Sequence, residues 1–183
     1  MCNLRLQPVE GLVLRPLFVS ADEITNIHRW YFQPESLMGA NTAGKVTCGI
    51  IISDGNRVLL GHATRSPRWD IPKGVAQPEE PFIDAAIREL REETGLVVVA
   101  DNLIALGVHD YLPAKRIALF AWRLDPLPDP SQLVCSSVIP LGKSWIPEFD
   151  RFGLFEWPEV YERVGKNLAR VLADLRKSGL SSA

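Results

Sequence analysis

The chain has 183 residues, of which 46% are hydrophobic and 23% charged, with a formal net charge of -2. That length supports one sizeable core, and the composition excludes a fibrous or disordered chain. The mild acidity supplies no global field toward nucleic acid or an anionic membrane, and no apolar run approaches the roughly 20 residues that a membrane span needs.

The start, MCNLRLQPVEGLVLRPLFVS, interleaves Arg5, Pro8, Glu10 and Arg15 with its apolar residues, which makes it a poor signal peptide. Cys2, Cys48 and Cys135 are widely scattered, with no CxxC pair and no zinc-like spacing. A reduced, cytoplasmic setting is the expectation. Residues 1–44 read as an N-terminal extension, with a capping box at Ser20 and Glu23 ahead of a short helix. KVTCGIIIS and RVLLGHA, separated by DGN, predict two strands joined by a tight turn, the first of them apolar enough for burial on both faces. A loop with three prolines follows over 63–80. Helical periodicity then places Ile83, Ala86, Ile87 and Leu90 on one stripe, closed by Gly95 as a helix-terminating glycine. LVVVADNLIALGVHDY and RIALFAWRL read as strands, DPLPDPSQL as a loop, and 157–177 as one helix carrying Val160, Val164, Leu168, Val171 and Leu175. Strands and helices interspersed in this way predict an α/β sandwich with a mixed sheet.

Glu89, Glu92 and Glu93 crowd the end of the first of these helices. A cluster of this kind is ordinarily a solvated helix face. At 100° per residue, however, the three acids abut the Ile83–Ile87–Leu90 stripe instead of opposing it. They repel one another at i, i+3 and i+4, and they face the negative end of the helix dipole. Hard carboxylate oxygens are what Mg²⁺ or Mn²⁺ requires, and Mg²⁺ completes its shell with water and substrate phosphate oxygens.

Gly74, Glu80, Arg88, Glu89, Leu90, Glu92, Glu93, Gly95 and Leu96 match all nine specified positions of the pattern G-x5-E-x7-R-E-U-x-E-E-x-G-U, where U is apolar. The stretch 74–96 resembles the Nudix box, and the chain over 45–178 resembles the whole Nudix hydrolase domain, an α/β/α sandwich with a mixed sheet. The resemblance implies a Mg²⁺- or Mn²⁺-dependent pyrophosphohydrolase acting on a nucleoside diphosphate linked to another moiety. Carried over by position, Glu89, Glu92 and Glu93 would ligate metal, the Gly74 carbonyl would complete the shell, Arg88 would orient a glutamate, and Glu80 would brace loop and helix.

Two further stretches resemble the branch that cleaves dinucleoside polyphosphates and RNA 5′ ends. In WIPEFDRFGLFEW the acid after the proline, Glu148, would approach the metals; the competing reading is a turn with Glu148 solvated. In RWDIPKG, Lys73 would contact a phosphate, whereas Trp69 reads better as a packing residue. Lys115 is a candidate phosphate contact beside Arg116, although both also suit a charged hairpin end. Tyr111 and Phe149 are candidate base-stacking residues. His28, His62 and His109 are isolated and take no role. A dinucleoside polyphosphate or a nucleoside triphosphate is the expected substrate. The alternatives are RNA 5′ ends, nucleotide sugars, and a non-catalytic nucleotide-binding regulator, with RNA disfavoured by the chain's acidity. No membrane partner is expected, and the extension suits a homodimer contact.

Overall fold

The computed structural model describes residues 45–180. The extension over 1–44, with its capping box, lies outside the described residues. Strand β1 (Val46–Ser53) is buried almost throughout, and the alternation of its side chains builds a core on each face of the sheet. Cys48, Ile50 and Ile52 face one way and join Phe82, Ala85, Ala86 and Leu90. These belong to helix α1 (Phe82–Thr94). Ile51 faces the other way and packs with Trp157, Val160, Leu168, Val171 and Leu172. These come from helices α2 (Trp157–Arg163) and α3 (Lys166–Leu175). A strand covered on both faces can be continuously apolar, which is why VTCGIIIS carries no polar alternation. The sandwich is therefore α/β/α.

β1 runs parallel to β6 (Lys115–Arg123) from Val46↔Arg116 to Ser53↔Arg123. It takes β4 (Lys73–Val75) antiparallel at Thr47, Cys48 and Gly49. β6 pairs antiparallel with β5 (Ile104–Leu112), so the sheet is mixed. β2 (Arg57–Ala63) follows β1 through the expected tight turn, and the two meet at Ser53↔Val58. β2 also pairs with β9 (Phe149–Glu156) and with β3 (Trp69–Asp70). β7 (Val138–Leu141) and β8 (Ser144–Pro147) form a separate two-stranded sheet.

Two expectations need correction. Leu96–Val99 is not a strand, and Val97 and Val99 are exposed while Val98 is buried. The helix expected over 157–177 breaks at Val164 and Gly165, both with extended backbone, and a π-helical turn over Arg176–Leu180 follows α3. Glycine weakens a helix interior, and the break still leaves Val160, Val164, Leu168 and Val171 in one core. β7, β8 and β9 occupy a stretch in which short length and the prolines Pro140 and Pro147 hide the strand pattern.

Candidate active site

Helix α1 presents two of its glutamates inward. Glu93 is 1% exposed and Glu89 9%, whereas the Glu92 side chain is 41% exposed. The first two therefore share the helix face with Ala86 and Leu90, which rules out a solvated face for them. Glu93 Oε2 accepts the Lys73 backbone N–H at 2.8 Å, tying the end of α1 to β4. Glu89 lies directly against Gly74, where a Cβ would collide with the Glu89 carboxylate. Glycine stands there because the carboxylate has to approach the backbone of β4 closely.

Arg88 organises the outer side. It takes Glu80 at two points, Nε to Oε1 at 2.8 Å and Nη2 to Oε2 at 2.9 Å, while Nη1 donates to Glu89 Oε1 at 2.6 Å and to Glu92 Oε2 at 3.3 Å. The planar guanidinium supplies this fork in one rigid group. Glu80 also accepts the Gln77 N–H at 2.8 Å, which folds the loop onto the helix start.

Glu148 stands between β8 and β9, and its charge acts on both Glu89 and Glu93. The distant loop and the helix are thus brought to one place. Burial pushes the Glu93 carboxyl up to about 9, with the charge of Glu148 adding to the rise and the Lys73 N–H and ammonium opposing it. Burial likewise raises Glu89, against the pull of Arg88. Glu80 behaves oppositely, held below the ordinary carboxylate range by its hydrogen bonds to Arg88. The inner carboxylates are thus short of positive charge, while the outer one is satisfied.

The other candidates lie elsewhere. Strand alternation sends the Lys73 side chain to the face opposite the Gly74–Glu89 contact. Its ammonium pairs with Asp70 at 2.7 Å, and its charge is felt by Tyr111, which is half-buried against the core beneath α2 and α3. Lys73 and Tyr111 therefore come together, but not beside Glu89. Lys115 and Arg116 are exposed near the tip of the β5–β6 hairpin. Trp69 packs edge-on against His62 and Phe155. Phe149 is corrected: it is 5% exposed and covers Gly61, where a Cβ would clash with its ring, so it cannot stack on a base.

Two arrangements were invisible in the sequence. His62 Nδ1 lies 2.7 Å from Asp150 Oδ1, across 88 positions of chain. Ser136 and Ser137 grip the carbonyl of Glu92, while Ser137 also reaches Glu148. No local pattern announces either contact.

Among the described residues, no three His, Cys, Asp or Glu side chains stand as a finished cation cage; the Glu92 carboxylate is turned toward Arg88. The donor chemistry nevertheless suits a hard divalent cation. The groups are carboxylate oxygens, two of them buried and mutually repelling, beside a glycine that opens the backbone to close approach.

A family model described as the NUDIX domain matches residues 44–132. Those residues carry a Nudix domain. Nudix hydrolase 10 of Arabidopsis thaliana is 31% identical over 99 residues, which cover 53% of this Nudix chain and 36% of that relative. The chain thus spans about a third of the length of that curated relative. A NUDIX hydrolase from Nitrosomonas europaea superposes with a TM-score of 0.53 at 17% identity, covering 74% of this chain and 90% of the other. The C. elegans Ap4A hydrolase binary complex gives 0.51 at 20% identity, covering 72% and 96%. Both likenesses concern the Nudix fold.

Proposed function

We propose that this Nudix chain is a Mg²⁺- or Mn²⁺-dependent hydrolase that cleaves a phosphoanhydride in a nucleoside diphosphate derivative, with a dinucleoside polyphosphate or a nucleoside triphosphate as substrate. The observation that carries the reading is Glu93, a carboxylate 1% exposed and set among Glu89 and Glu148, while the nearby Lys73 ammonium is paired with Asp70. An uncompensated buried carboxylate is costly unless it is neutralised, paired or bound to a metal. The RWDIPKG and PEFD stretches support the choice of substrate, as does the C. elegans Ap4A hydrolase among the proteins sharing the fold.

Glu89, Glu92, Glu93 and Glu148, with the Gly74 carbonyl, would hold the cation. When bound, it supplies Lewis-acid polarisation of the phosphoryl oxygens and neutralises the charge that develops on them. The chain does the rest. Arg88 holds Glu89 and Glu92 in place from one rigid fork. The Lys73 N–H fixes the orientation of the Glu93 carboxylate. Glu148 or a glutamate of the helix takes the proton of the attacking water. Glu80 fixes the guanidinium through Nε and Nη2 and leaves Nη1 to Glu89 and Glu92.

The test is a panel of dinucleoside polyphosphates, nucleoside triphosphates, nucleotide sugars and 5′-triphosphate RNA, incubated with Mg²⁺ or Mn²⁺ and followed by product release. Cation-dependent cleavage of the first two classes is expected. Binding without turnover across the panel would contradict the hydrolase reading.

A further inference from the structure

The charge of Glu148 acts on both Glu89 and Glu93, and like charges on these carboxylates disfavour one another. Repulsion drives a half-buried side chain at a strand junction toward water, so something has to hold it inward. The Glu148 backbone is pinned on both sides: its N–H donates to the Ser137 carbonyl at 2.9 Å, and its carbonyl accepts the Thr64 N–H at 2.9 Å. Its side chain is held as well, because Ser137 Oγ donates to Glu148 Oε2 at 3.1 Å.

Ser137 is itself anchored to α1. The last carbonyls of a helix have no intrahelical partner, and the Glu92 carbonyl takes the Ser136 N–H at 2.8 Å, the Ser137 N–H at 3.0 Å and the Ser136 hydroxyl at 2.9 Å. A neighbouring carbonyl, that of Thr94, takes the Val134 N–H at 3.2 Å. One short loop therefore connects the backbone of a box glutamate to the carboxylate of Glu148.

We propose that Ser137 is a positioning residue for the reaction: its hydroxyl aims the Glu148 carboxylate at Glu89 and Glu93, and its peptide sets the spacing of that carboxylate from α1. The hydroxyl occupies one lone pair of Oε2 and leaves the other lone pairs of the carboxylate available. This inference rests on the reading of Glu148 as part of the cation site. Groups that orient metal ligands typically matter by roughly 10–100-fold in affinity or activity.

Ser137→Ala removes the hydroxyl and leaves the backbone hydrogen bonds of the loop in place. Mn²⁺ affinity by calorimetry and kcat on diadenosine tetraphosphate with Mg²⁺ should each fall roughly 10–100-fold, with the cation-free melting temperature unchanged. Ser137→Thr, which keeps the hydroxyl, should recover both. The double variant Ser137→Ala/Glu148→Gln should be no weaker than Glu148→Gln alone, because residues acting through one group are not additive. If Ser137→Ala binds Mn²⁺ and turns over like wild type while Glu148→Gln loses both, Ser137 has no positioning role and the reading of Glu148 stands. Additive losses in the double variant would equally overturn action through Glu148. If Glu148→Gln changes neither readout, the reading of Glu148 falls and takes the role of Ser137 with it.

Discussion

The Arg88 guanidinium and the Glu80 carboxylate meet at two points, 2.8 and 2.9 Å apart, and the same guanidinium reaches Glu89 and Glu92. Glu80 thus sets the position of the cation that sets the positions of two acids, without facing the inner cluster itself.

Glu80→Gln should therefore cost stability more than chemistry. Hydrogen bonds to charged groups are worth about 1.5–3 kcal/mol; solvent screening at this partly exposed pair brings the expected loss to about 1 kcal/mol. The pH dependence has a definite sign. The Glu80 carboxyl is held below its ordinary value of 4.5 by Arg88, so the folded state binds its proton less readily than the unfolded chain does. The stabilisation is complete above the unfolded value and is lost as pH falls through the lower folded one. Melting temperature against pH should show wild type and Glu80→Gln converging in acid. A constant gap down to the lowest pH would contradict the ion pair.

Gly74→Ala places a Cβ against the Glu89 carboxylate. Either β4 or Glu89 has to shift, so turnover should fall steeply. The melting temperature should fall too, since β4 is also held by the Lys73 N–H to Glu93. A variant with wild-type kcat would show that close contact between Glu89 and β4 is dispensable.

Much of this arrangement was legible in the sequence. β1 and α1 follow from apolar pattern alone, because VTCGIIIS and the Ile83–Leu90 stripe are each explained by a local period. The helix end at Gly95 follows from the left-handed conformation that glycine tolerates, with φ 77°. Motif spacing brought Glu89, Glu92, Glu93 and Glu148 forward as candidates. What stayed hidden depends on distant partners. The break at Gly165 answers to where α2 and α3 meet the sheet, β2 leaves β1 because β9 supplies its other partner, and Ser137 meets Glu92 and Glu148 only once the loop has folded back. Lys73 reads as a phosphate contact from its motif, yet alternation along β4 and the charge of Asp70 turn it away from Glu89.

Glu93→Gln keeps an oxygen to accept the Lys73 N–H and removes the buried ionisable carboxyl. The cation-free variant should melt at the same temperature as wild type or higher, since a repelling cluster loses a member. The rise in melting temperature on adding Mg²⁺ should shrink, because a ligand stabilises in proportion to its affinity for the folded state. Turnover should fall by about 10²–10³, the range for losing one electrostatic stabiliser of a transition state. Near-normal turnover in this variant would remove Glu93 from the site.

In the proposed reaction the carboxylates of α1 and Glu148 act by holding a divalent cation against a diphosphate. The most direct measurement is the rate of diadenosine tetraphosphate or nucleoside triphosphate hydrolysis after exhaustive chelation, and again as Mg²⁺ is added back. Background rate in the chelated protein, restored by Mg²⁺ in wild type and not in Glu93→Gln, is the predicted result. Full turnover after chelation, with no response to added Mg²⁺ or Mn²⁺, would contradict it.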